Sequence, residues 1–338
     1  MKMTSISWLL ISFVALLTVA GLPMHSTAFQ MAPLAKTHTS STLATSSALN
    51  AATSLFPEFS YPSTEIAGKA AANVQLCTYE HDGYTLKYRY KPAAPGYEKE
   101  APLLLIHPVG IGMSSWFWDE LMEQWTDGGA IYAPDLIGCG IDNGSSAWKP
   151  EEKGMFFLLS WVSGCEALMQ QFILKNQNQN NPFIKNLPFA ASSEKVTVVT
   201  QGGLAPVGVM LASRNPDTVG KLVMTSPPTW KDMTTAVPEK ELESNYNFLK
   251  SPLGSLAFGA LESKGAIRFF SDVFLFEGKC DDKWLDRCME ECRYQEARPP
   301  IQAFNAGLMQ HRSYIEELTS LPQPTVIVQG QDDVNRIP

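Results

Sequence analysis

The stretch VTVVTQGGLAP, residues 196–206, decides how the rest of the chain is read. Val196 to Thr200 form a β-branched run that suits a strand. The run stops at Gly202-Gly203, and LAPVGVMLASRNP (204–216) continues with helical spacing. Pro206 falls in the first turn of that helix, where a missing N–H costs little. So abrupt a strand-to-helix turn lifts its apex residue above the end of a sheet. The apex is Gly202, which has no side chain. Glycine also adopts the positive φ of such a turn without steric cost.

Working outward, strand and helix signals alternate from about Asn73. VQLCTYEHDGYTLKYRY (74–90) reads as two short strands around the turn His81-Asp82-Gly83. APLLLIHPVG (101–110) is a continuous apolar run that ends in Pro and Gly, as expected of a strand buried on both faces. SSWFWDELMEQW (114–125) has helical spacing, and GGAIYAPDLIGCG (128–140) is a second buried strand with a Gly-rich loop. A longer helix runs through 153–176, the polar stretch NQNQNNP (176–182) is a surface insertion, and VGKLVMTSPP (219–228) is another strand. After about Trp230 some seventy helix-leaning residues intervene. The alternation then resumes with one helix over 300–321 and the strand PTVIVQG (324–330). Strands alternating with helices predict a mostly parallel sheet covered on both faces.

These residues resemble the α/β-hydrolase family over about Asn73 to Pro338. LLLIHPVG stands for its strand and His-Gly oxyanion loop, and APDLIGCG for its Asp-Leu-x-Gly-x-Gly loop. VVTQGGLAPVGVMLASRNPDTVGKLVMTSPP stands for its elbow, helix and following strand, and VIVQGQDD for the strand carrying its catalytic acid. The resemblance implies an α/β fold with helices on both faces of the sheet and a helical cap. It divides the chain into a core at 73–229, a cap at 230–300 and a second core part at 301–338. The family adds a strand and a helix after its acid strand, and the chain stops at Pro338, so the core is read as C-terminally incomplete.

The family places its nucleophile in a small-x-nucleophile-x-small turn. Here that position is Gly202, with its side chain absent. Moving the apex by one or two residues gives Gln201 or Thr200. Thr200 is an alternative nucleophile, although Val198 would then occupy a position that needs a small residue. Ser226, a strand-end hydroxyl, is a further candidate. The oxyanion-hole amides implied by the resemblance are those of Gly203 and Val109, and the acid position is Asp333, with Asp332 as its alternate. His107 sits in the oxyanion loop. His107, Trp116 and Trp118 are taken as cleft-lining or substrate-binding residues, with core packing as the alternative. No histidine falls at the family's catalytic base position: His311 precedes the acid strand, and the family's base follows it.

Composition narrows the partners. A net charge of −8 leaves no basic surface to neutralise phosphates, which argues against a nucleic acid. Six cysteines in 338 residues form no disulfide framework. Cys280, Cys288 and Cys292 lack paired C-x-x-C spacing, so no metal is expected, and the absence of a nucleotide-binding motif implies no cofactor. The apolar cap sequence suits a small apolar metabolite that is ester- or carboxylate-like. Two functional readings follow. One is an atypical hydrolase or lyase without an acyl-enzyme at position 202. The other is a non-catalytic ligand-binding or scaffold protein.

The N-terminus carries addresses. Residues 1–28 have the form of a signal peptide, with Lys2, an apolar run and Ser-Thr-Ala before Phe29. Residues 29–57 contain Ser, Thr and Ala but no Asp or Glu. The pair resembles the two-part presequence of algal plastid proteins, so a plastid is expected, with secretion as the alternative. No other apolar run is long enough to span a bilayer. If the chain truly ends at Pro338, a protein partner is expected at the open sheet edge.

Overall fold

A computed structural model describes residues 74–149, 157–174, 195–276 and 278–330. Segments 1–28 and 29–57, the polar stretch 176–182, and Asp332 and Asp333 lie outside the described residues.

The described residues open with an antiparallel hairpin, β1 (Gln75–His81) and β2 (Tyr84–Lys91), with His81 paired to Tyr84. Asp82 and Gly83 turn it with φ of 49° and 74°, the left-handed pair that matches the twist of the flanking strands. β3 (Leu103–Ile106) follows, then a 3₁₀ turn (Ser115–Trp118) and α1 (Asp119–Gln124). After β4 (Ile131–Pro134), α2 (Phe157–Leu168) continues into a π turn at Met169–Ile173. β5 (Val196–Gln201), α3 (Ala205–Arg214) and β6 (Val219–Thr225) complete the centre.

The segment between β6 and the last strand is helical: α4 (Trp230–Thr234), α5 (Glu239–Lys250), α6 (Pro252–Leu261), α7 (Lys264–Phe274), α8 (Asp282–Glu291) and α9 (Arg298–Asn305). α10 (Ile315–Ser320) and β7 (Thr325–Val328) follow. The helix expected over 300–321 is interrupted, because Gly307 takes a φ of 89° and a short 3₁₀ turn follows it at Leu308–Gln310. The cap boundary drawn at residue 300 falls inside α9.

The sheet order is β1-β2-β4-β3-β5-β6-β7. β1, β2 and β4 pair antiparallel, and β4, β3, β5, β6 and β7 run parallel. Because successive strand residues face opposite sides, the core divides in two. Leu104, Ile106, Val196, Val198 and Leu222 pack with α2 and α3, while Leu105, Ile131 and Ala133 pack with Trp118 and Met122. α3 is buried from Ala205 to Ala212, which is why its sequence is apolar all round. A third cluster, holding Met113 and Trp116 against Ile267, Leu285 and Cys288, fastens the cap to the loop after β3. Among the described residues no helix is long and apolar enough to cross a membrane.

Candidate active site

Gly202 has a φ of 60°, and the chain leaves β5 through it into a 3₁₀ turn at Gly202–Leu204 and then α3. A Cβ built on Gly202 would have no heavy atom within 4 Å. The apex is therefore an open position at the end of the sheet. It is not a glycine forced by crowding. The next residue differs: a Cβ on Gly203 would stand 2.5 Å from Cζ of Phe304, whose ring covers this side of the elbow from α9.

Thr200 belongs to the opposite environment. Strand alternation puts it on the face that Val196 and Val198 share with α3, where it is fully buried and its Oγ1 has no hydrogen-bond partner among the described residues. A Cβ on Gly208 of α3 would approach its Cγ2 to 2.3 Å. Thr200 is thus enclosed under the helix and away from the apex. Ser226 has a φ of 45°, and its N–H donates to the Val328 carbonyl at 2.7 Å.

His107 is also enclosed. The Leu136 N–H donates to its Nε2 at 3.1 Å, so Nδ1 carries the hydrogen and donates to the Pro108 carbonyl at 2.7 Å. Burial lowers the basicity of the ring, while the Pro108 carbonyl and the nearby Asp135 oppose this. The imidazole therefore joins the β3 loop to the β4 loop and does not line the cleft. Asp135 accepts from the Ser115 N–H at 2.9 Å and from Ser145 Oγ at 3.1 Å, so it holds the same two loops together. The two tryptophans separate. Trp116 lines the cleft and donates its indole N–H to the Gly112 carbonyl at 3.0 Å, whereas Trp118 packs beneath β3 and β4.

Between the elbow and the cap lies a cavity of about 710 Å³. Val109, Gln201, Phe304 and Asn305 line it at the elbow, and Trp116, Phe117, Phe270, Phe276 and Trp284 supply aromatic wall. The rings of Trp116, Phe117 and Phe276 meet Trp284 edge-on, with centroids at 5.2, 6.2 and 5.0 Å. Charged lining residues come from α1 and from α8 with its N-cap, and most have partners. Asp119 accepts from Arg89 Nε at 2.6 Å, Lys283 faces Glu120 at 3.9 Å, Asp281 caps α8 through the Trp284 N–H, and Arg287 pairs with Glu290. Burial raises the Asp119 carboxyl above its ordinary range, and Arg89 opposes that rise. Phe304 and Asn305 also border a second cavity of about 80 Å³, on the Gly203 side of the elbow.

The cap is tied to the core by a residue that sequence reading passed over. Glu291, at the end of α8, is buried and accepts from the backbone N–H groups of Ile141 (3.0 Å) and Asp142 (3.2 Å). Burial, then the facing Asp142 carboxyl, pushes its own carboxyl up to about 9. Nearby, Cys280 and Cys288 are buried in the cap–core cluster and Cys292 packs against it, and burial raises all three thiols. Among the described residues, no group of three or more His, Cys, Asp or Glu could hold a metal ion.

Solved structures share the fold of this chain. A probable hydrolytic enzyme from Pseudomonas aeruginosa superposes over 78% of this chain and 75% of its own, at 19% identity and a TM-score of 0.51. The chain has the α/β-hydrolase fold. A mutant meta-cleavage product hydrolase from Pseudomonas fluorescens, complexed with acetates, matches over 76% and 80% of the two chains, at 17% identity and a TM-score of 0.52. A bacterial membrane phospholipase A matches over 80% and 75%, also at 17% identity and a TM-score of 0.52. No protein-family model matches the chain, and neither does any curated protein sequence.

Proposed function

We propose that this protein binds a small apolar metabolite in the cavity under its cap and forms no acyl-enzyme at position 202. The cavity carries the reading. Its volume of about 710 Å³ and its aromatic wall are those of a small-molecule pocket, while Gly202 at the apex of the elbow presents backbone alone. Catalysis without the nucleophile–base unit would rest on the Val109 and Gly203 amides. In well-studied serine hydrolases that leaves roughly 10³–10⁴ over water.

The second reading, an atypical hydrolase acting through bound water, is favoured by one observation: the apex keeps a φ of 60° with room for a side chain. Hydrolysis of 4-nitrophenyl butyrate by the parent and by Gly202→Ser separates the two. The binding reading expects neither protein to exceed the buffer rate, while both take up the apolar dye Nile red. Turnover by the parent would overturn it. Turnover by Gly202→Ser alone would mean that an acid and a base lie in place around an emptied nucleophile position.

The resemblance of residues 1–57 to a two-part presequence supports delivery to a plastid through the secretory pathway. A fluorescent fusion of residues 1–57, imaged in an algal cell, checks this, and export to the medium would favour secretion.

A further inference from the structure

The cavity reading leaves open what kind of polar group the ligand carries, and two side chains bear on it. Gln201 is the last residue of β5, and Asn305 is the last of α9. The Phe304 ring, placed where a Gly203 Cβ would stand, brings the end of α9 onto the elbow, so Gln201 and Asn305 both line the large cavity there. Neither has a hydrogen-bond partner among the described residues, although each carries two N–H donors and an acceptor oxygen. The walls beyond them combine aromatic and aliphatic side chains with charged ones from α1 and α8, and a ligand group that pairs with both amides gains their hydrogen bonds.

The charges lining the cavity belong to other elements. Asp119 is held by Arg89, Lys283 faces Glu120, and Arg287 pairs with Glu290. None of these residues is in β5 or α9. A ligand carboxylate at the elbow would meet no cation from either element. An uncharged group that both accepts and donates would satisfy both amides.

We infer that the ligand is an uncharged amphiphile with a carbonyl-containing polar end of the amide type, held by the Gln201 and Asn305 carboxamides, its apolar body lying among Trp116, Phe270 and Trp284. This rests on the cavity being a binding site. It also chooses against the carboxylate-like ligand that the sequence left open.

Equilibrium dialysis with three probes of one shape tests it: 2-naphthamide, 2-naphthoate at pH 8, and 2-ethylnaphthalene. The amide is expected to bind at least about tenfold more tightly than the carboxylate. In the double variant Gln201→Leu/Asn305→Leu the advantage of the amide over 2-ethylnaphthalene falls to about twofold or less, with folding followed by thermal melting. Equal or tighter binding of 2-naphthoate to the parent overturns the inference whether or not the double variant folds, and so does a folded double variant that keeps the advantage over 2-ethylnaphthalene. If none of the three probes binds, the cavity reading itself fails. Binding of 2-ethylnaphthalene with no gain for the amide leaves the cavity reading standing and removes only the polar assignment.

Discussion

Gly202 and Gly203 are adjacent glycines with different physical reasons to be glycine, and substitution should separate them. At Gly202 an added Cβ meets nothing but must sit at a φ of 60°, which costs an L-residue about 1–2 kcal/mol. Gly202→Ala should therefore fold and melt about 2–6 °C lower. At Gly203 the obstacle is the Phe304 ring 2.5 Å away, and overpacking of this kind costs about 1–3 kcal/mol. Trimming the ring should relieve one variant and not the other. In double-mutant cycles read by chemical denaturation, Phe304→Leu is expected to recover about 1 kcal/mol or more in the Gly203→Ala background. Additivity is expected with Gly202→Ala. The empty apex was legible in the sequence, because the two glycines interrupt a β-branched run at one defined point. The use of Gln201 was not: period-two alternation turns it away from Thr200, but only the approach of α9 gives it a cavity to face.

At the scale of an element, α8 holds the cap down through the buried carboxyl of Glu291. Both Glu291 oxygens accept backbone N–H groups, and the buried Oδ1 of Asp142 has no donor among the described residues, so a proton on Glu291 serves it. The unfolded chain gives up this proton at the ordinary carboxylate value, while the folded chain holds it until about pH 9. Between those values the folded state binds more protons, so this group's contribution falls as pH rises and levels off above about 9. Glu291→Gln has no proton to lose and one acceptor fewer. It should melt below the parent at pH 5, where the parent bond set is complete, and the difference should shrink or reverse by pH 9. Paired melting curves across that range check this, and a constant difference would show that Glu291 does not titrate there. Nothing in the sequence marked Glu291, which sits among acids on an amphipathic helix and reads as solvated. Its partners are the backbone of a loop some 150 residues earlier.

Over the whole molecule the sheet was the legible part, because buried parallel strands write themselves as apolar runs bounded by Gly and Pro. LLLI, IYAP and VTVVTQ became β3, β4 and β5 in the expected order. The cap was legible as helix, but how its helices close on the loops after β3 and β4 depends on contacts between residues far apart in sequence. Those contacts carry no periodic signature. β7 reads like the central strands, yet Val326, Ile327 and Val328 are 36%, 60% and 47% exposed, and β7 is the last strand in the sheet order among the described residues. An apolar strand at an edge offers unpaired N–H and C=O groups to any second strand, and a charged side chain there discourages pairing. A recombinant protein of these 338 residues is accordingly expected to self-associate with rising concentration. Ile327→Lys should shift sedimentation towards the monomer while moving stability by no more than about 0.5 kcal/mol, since the side chain it replaces is exposed. If the parent sediments as a monomer throughout, the β7 edge is protected in solution and Ile327→Lys should change nothing.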